Sequence, residues 1–227
     1  MSRIYKISKS GLRLFYKIRH HHGHGIHSPF VFNLITKVIE EKNPYYAYQE
    51  IKDYLLDYPL IKKSPSKSNL LSFRLTNYFG AKNILEIGSG YGINTLYLSA
   101  PSSAIKCQCV ELSHNKSEIS SELYKNWNRN IILHTEKLPV LEKPQDCICL
   151  DLRDYHSNVE ELKSYLLGNI TNNSFIIIKG IRTNKRHLLL WNSLIEDSKV
   201  KVAMDLFHEG ILFFDPKLYK QNYKISF

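Results

Sequence analysis

The stretch Glu86-Ile87-Gly88-Ser89-Gly90-Tyr91-Gly92 constrains the fold of this chain more than any other. It follows an apolar run, Asn83-Ile84-Leu85, and precedes a helix-like segment from Ile93 to Ser99. A second acid, Glu111, closes the next apolar run. Strand, glycine turn, helix, strand and acid, in that order, make a nucleotide-binding βαβ unit, whose acid grips a ribose. The alternative is a glycine-rich turn that merely joins a strand to a helix, but such turns rarely also supply a correctly spaced acid on the next strand. The chain therefore has to build an α/β sheet around this unit.

The glycine spacing narrows the ligand. A dinucleotide fingerprint has glycines at its first, third and sixth positions, so that the backbone can approach a pyrophosphate. Counted from Gly88, the sixth position is Ile93, and the third glycine comes one residue early, at Gly92. No Gly-Lys-Ser/Thr ending marks a phosphate loop. An acid, Glu86, stands before the turn, and a carboxylate suits a cationic ligand better than a pyrophosphate. These details favour S-adenosylmethionine, a sulfonium. The pattern Glu-x-Gly-x-Gly-x-Gly resembles motif I of the class I S-adenosylmethionine-dependent methyltransferases.

Beyond Gly80 the chain alternates strand and helix, with strands expected at Asn83–Glu86, Ile105–Glu111, Asn130–His134, Asp146–Asp151 and Ser174–Lys179. Two last strands, Lys199–Phe207 and Ile211–Phe214, are joined only by His208-Glu209-Gly210, too short for a crossover, so they must be antiparallel. Before residue 80, Ser28-Pro29 predicts a capped helix running to Glu41, followed by helices over Tyr45–Tyr58 and Ser68–Phe79. The expected organisation is a basic, histidine-rich arm over 1–27, a helical cap region over 28–80 and a methyltransferase domain over 81–227. Its sheet is expected to be doubly wound, seven-stranded and mostly parallel, with a C-terminal antiparallel hairpin. That is the Rossmann-like fold which the resemblance implies.

In such a sheet the ligand lies beyond the carboxyl ends of the strands, where strand order reverses. Cofactor-binding candidates are Glu86, Gly88, Ser89, Gly90, Tyr91, Gly92, Glu111, Leu112 and Asp151. Glu111 is expected to accept from both ribose hydroxyls, and Leu112 to flank the adenine. Gly90 lets the backbone approach the ligand without a side chain between them. Methyl transfer needs alignment above all, and a base if the acceptor is a hydroxyl. Asp151, at the end of the fourth strand, and His27 are the catalytic candidates. His156 is a further base candidate, alternatively a surface histidine.

Residues 70 to 227 resemble small bacterial O-methyltransferases related to catechol O-methyltransferase. That family carries a divalent metal on an Asp after its fourth strand and an Asp-Asn pair after its fifth. Asp151 matches the first ligand, but Lys179-Gly180 stands in place of the pair, and an ammonium repels Mg²⁺. The family's lysine three residues beyond its first Asp is absent too, and Asp154 stands there. The expectation is therefore no metal and a small-molecule acceptor, methylated at oxygen. RNA methylation and a non-catalytic cofactor-binding module are the competing readings. Against RNA, no Asn/Asp-Pro-Pro-Tyr/Phe follows the fourth strand, where Asp151-Leu152-Arg153-Asp154-Tyr155 stands.

The net charge is +10, and Arg3, Lys6, Lys9, Arg13, Lys17 and Arg19 gather in the first nineteen residues with no acid among them. This arm is either solvated or meets an anionic partner such as nucleic acid or a lipid surface. His20, His21, His22, His24 and His27 follow, in a segment ending His24-Gly25-Ile26-His27-Ser28-Pro29-Phe30. It resembles the His-Gly-x-His-Ser-Pro-Phe lead of some bacterial methyltransferase-like proteins. Lid, polar connector and metal site are its three readings. No apolar run is long enough to span a bilayer, and the N-terminus lacks a secretory pattern. The pairs Cys107/Cys109 and Cys147/Cys149 lie in expected strands and read as buried thiols, with zinc as the alternative. Together these features imply a cytoplasmic location.

Overall fold

The structure, a computed structural model, describes residues 28–59, 61 and 65–227. The basic arm, the histidine-rich segment and His27 lie outside the described residues. Among the described residues, no helix is long and apolar enough to cross a membrane.

The strands are β1 (Asn83–Ile87), β2 (Lys106–Val110), β3 (Asn130–His134), β4 (Gln145–Asp151), β5 (Ile170–Lys179), β6 (Val202–Asp205), β7 (Glu209–Phe213) and β8 (Gln221–Lys224). They form one sheet in the order β3-β2-β1-β4-β5-β7-β6-β8. Strands β1 to β5 are mutually parallel, and β7 runs antiparallel to both β5 and β6. Strand order reverses between β1 and β4, so the crevice opens above their carboxyl ends. The eight strands exceed the seven expected from sequence by β8, which pairs parallel with β6. Only Tyr223 of β8 is buried, so its polar sequence gave no alternating signal. The turn between β6 and β7 also falls earlier than expected, because Phe207 takes a left-handed φ of 72°.

Among the described residues seven α-helices flank the sheet: α1 (Pro29–Leu34), α2 (Tyr46–Tyr54), α3 (Lys67–Phe79), α4 (Ile93–Ser99), α5 (His114–Lys125), α6 (Val159–Gly168) and α7 (Lys185–Glu196). Ser28 caps α1 by accepting from the Val31 amide, with Pro29 in the first turn. A π-helical turn, Ile35–Ile39, extends α1, and the buried Arg74 of α3 donates to its Val38 and Ile39 carbonyls at 2.6 and 3.2 Å. Ser66 and Asn69 form a reciprocal capping box at the start of α3, which Gly80 ends in left-handed backbone.

Side chains alternate across each strand, so the sheet has two buried faces. On one, α1 and α3 pack against Ile84, Cys147, Phe175, Ile177 and Phe213. On the other, α6 and α7 cover Leu85, Ile148, Leu150, Ile176 and Leu212. A third cluster, including Ile51, Phe73, Leu96 and Trp127, joins α2 to α4. All four cysteines are free and buried on the first face.

Candidate functional site

The glycine turn is pinned from below. The Gly88 and Ser89 amides both donate to the Val110 carbonyl, at 2.9 and 3.1 Å. Gly88, Gly90 and Gly92 all take left-handed backbone, with φ of 75°, 59° and 84°, which L residues resist. Each also lies under a close neighbour. A Cβ at Gly88 would meet the Asp151 carbonyl at 2.8 Å, and one at Gly92 the Tyr124 hydroxyl at 2.7 Å. A Cβ at Gly90 would stand 3.0 Å from the Asp154 carboxylate, which pairs with the Lys116 ammonium. The Lys116–Asp154 pair thus bridges the mouth of the turn.

Glu111 is buried at the end of β2. One of its oxygens accepts the Gly90 amide at 2.7 Å and the other accepts the Ser113 amide at 2.9 Å. The same carboxylate therefore ties the glycine turn to the start of α5, and each oxygen keeps a further lone pair. Ser113, at the N-cap of α5, makes no side-chain capping bond. Leu112 next to Glu111 is 43% exposed and Tyr91 is 44% exposed, and Leu112 lines an open hollow with His114, Ser117 and Thr135.

Glu86 points inward and is only 3% exposed. Its oxygens accept from the Thr95 hydroxyl at 2.5 Å and from the Asn94 amide nitrogen at 2.8 Å. Burial pushes its carboxyl up to about 7, against the opposing influence of Lys179. Glu86 therefore fixes the first turn of α4 behind the glycines.

Asp151, Lys179 and Glu209 occupy one register row across three neighbouring strands, Asp151 opposite Lys179 and Lys179 opposite Glu209. Arg153 grips Asp151 with two guanidinium nitrogens and its own amide. Although burial pulls the other way, this fork and Lys179 hold the Asp151 carboxyl below its usual range. A carboxylate held in this way stays ionised and is a weak proton acceptor. Lys179 is 5% exposed, and its ammonium donates to Asn94 Oδ1 at 2.6 Å. Glu209, also 5% exposed, accepts from the Ser68 hydroxyl at 2.7 Å. Burial raises its carboxyl above the usual range, with Lys179 opposing. Lys179, Glu209 and Ser68, with Arg153, Arg182 and Phe207, line a cleft of about 270 Å³.

The structure thus brings Gly88 to Gly92, Glu111 and Asp151 close together, places Leu112 beside Glu111 on an open hollow, and turns Glu86 inward. His156 stacks on His187 and lines a separate small hollow with Leu152 and Tyr155. Asn94, Ser68 and Glu209 escaped the sequence reading. Of these, Glu209 was legible in principle, as an acid flanked by buried apolar strands. Among the described residues no group of three or more His, Cys, Asp or Glu side chains is placed to hold a metal.

Solved structures with a similar fold exist. An O-methyltransferase from Bacillus cereus, in complex with SAH, superposes with a TM-score of 0.53 at 18% identity, over 81% of this chain and 97% of its own. The SAH-bound Podospora anserina methyltransferase PaMTH1 superposes with a TM-score of 0.56 at 14% identity, over 94% of this chain and 98% of its own. The O-methyltransferase TomG from Streptomyces achromogenes, involved in tomaymycin synthesis and in complex with SAM, gives a TM-score of 0.51 at 14% identity, over 81% and 92%. No protein-family model matches the chain, and no curated protein matches it by sequence. At these identities the likeness is one of architecture. This chain has the Rossmann-like α/β fold of class I methyltransferases.

Proposed function

We propose that this chain is an S-adenosylmethionine-dependent methyltransferase that methylates a small molecule at oxygen without a metal. The observation that carries the reading is the glycine turn itself. Three left-handed glycines stand at the point of strand reversal, tied by Glu111, in a fold shared with SAM- and SAH-bound methyltransferases.

The residues fit such a cofactor. Glu111 has lone pairs left for the ribose hydroxyls, Leu112 offers an apolar face for the adenine, and Gly88 to Gly92 leave the backbone bare. The ionised Asp151 supplies negative charge that suits a sulfonium. Access over Gly90 requires the Lys116–Asp154 pair to open. The chemistry supplied by S-adenosylmethionine, when bound, is an activated methyl group. The chain's own part is to align an acceptor above the β4 and β5 ends and to exclude water around it. Lys179, standing where the resembled family has an acidic metal ligand, supports the metal-free reading, because a fixed cation repels a divalent one. The four free, buried cysteines support a reducing, cytoplasmic setting.

Titration calorimetry with S-adenosylmethionine tests this. We expect one-site binding that Glu111→Ala weakens by about 1–3 kcal/mol, as the loss of charged hydrogen bonds should. Absence of heat at millimolar cofactor would remove the assignment, and an unchanged affinity in the variant would remove Glu111 from the site.

A further inference from the structure

Lys179 is a buried cation with donors to spare. Among the described residues its single hydrogen bond goes to Asn94 Oδ1, and no carboxylate lies within ion-pair distance of it. An ammonium has three N–H donors, so two remain for the cleft it lines. Directly across the β5–β7 ladder stands Glu209, and side chains at opposed positions share a face about 5 Å apart. Ser68 occupies one Glu209 oxygen, and the other has no partner among the described residues. Asp151, the remaining acid of the row, is committed to Arg153.

We infer that Glu209 is the general base and Lys179 the oxyanion holder for the hydroxyl of the methyl acceptor, a pairing that rests on the methyltransferase reading above. The acceptor's O–H bond breaks, its electron pair stays on oxygen beside the ammonium, and the proton bonds to the free Glu209 oxygen. Before the step the reacting groups are one cation (Lys179), one anion (Glu209) and a neutral hydroxyl. Afterwards they are the same cation, a new anion and a neutral acid. Net charge is conserved, so a buried cleft can run the step without drawing a counter-ion from water. The fixed ammonium also lies where charge develops, which is the arrangement that lowers such barriers. Desolvation brings the base nearer to the hydroxyl in proton affinity by raising the Glu209 carboxyl.

The test uses 4-nitrophenol as the hydroxyl probe, in buffer below its own pKa, with the whole chain and no cofactor. Absorbance reports phenolate, and calorimetry in two buffers of different ionisation heat counts protons released. In the native protein we expect bound probe to show the phenolate band with no net proton release, because Glu209 keeps the proton. In Glu209→Gln the band persists, but one proton is released per probe bound. In Lys179→Met the band is lost. Any one of three results overturns the inference: no phenolate band in the native protein, release of one proton by the native protein, or a band that survives Lys179→Met. Binding of S-adenosylmethionine by each variant is measured separately. Retained cofactor binding shows that the variant is folded. Cofactor binding with a failed probe experiment sinks the acid–base pair alone, whereas failure of the native protein to bind cofactor sinks the methyltransferase reading.

Discussion

A carboxyl with 3% of its surface exposed keeps its proton to about pH 7, where an ordinary one lets go near 4.5. For Glu86 the sign follows from linkage. Between those values the folded chain retains a proton that the unfolded chain has released, so stability from this group is full below about pH 4.5 and lost as pH rises through about 7. Glu86→Gln should erase that component. Relative to the native chain the variant gains stability on going from pH 4.5 to 8, by on the order of 3 kcal/mol at most, read as a diverging pair of melting-temperature curves. Parallel curves would mean that Glu86 titrates normally. Gly92→Ala tests the turn in a different way. Its Cβ runs into Tyr124 and its φ of 84° disfavours any side chain. The expected loss is about 1–3 kcal/mol in a urea titration. At this scale the sequence placed Glu86, Gly88, Gly90, Gly92 and Glu111 beside one another. It could not show that Glu86 faces the core, because that depends on Thr95 and Asn94 being turned toward it by α4.

Between single residues and the whole lies the way each element is ended and held. Ser28-Pro29 and Gly80 were legible as helix boundaries because capping is local chemistry. The π-helical turn after α1 was not legible, since its widened carbonyls are satisfied by Arg74 from another helix. Arg74→Met keeps much of the side-chain bulk and removes both donors. We expect it to cost about 1.5–3 kcal/mol in equilibrium unfolding, and an unshifted urea midpoint would show that the turn closes without it. The β6–β7 turn taught a similar lesson. Phe207 adopts left-handed backbone although glycine would be the expected residue there, and Asp205 accepts its amide at 2.9 Å. A local reading put the turn instead at the nearest glycine, Gly210. Gly210 is a glycine for another reason: a Cβ there would lie 2.4 Å from the Trp191 ring.

Across the whole molecule, the alternation of strands and helices fixed the parallel half of the sheet, and the short connection fixed the antiparallel turn. The eighth strand needed the assembled sheet, because Gln221–Lys224 finds its partner only once β6 is in place. It covers an edge that would otherwise offer unpaired backbone groups. Removing residues 216–227 should therefore lower the melting temperature and cause concentration-dependent association in light scattering, and a monodisperse truncation would contradict this. One further consequence comes from the sheet's sulfur. Cys107, Cys109, Cys147 and Cys149 stand on β2 and β4 with β1 between them, at most 1% exposed. Contact with Cys109 and burial push the Cys107 thiol up, and burial raises Cys147 and takes Cys149 to about 12. A disulfide-exchange reagent such as Ellman's must therefore wait for the strands to part. Its colour would then develop at the rate of global opening, so that the native chain carries its own unfolding clock without a dye or a label.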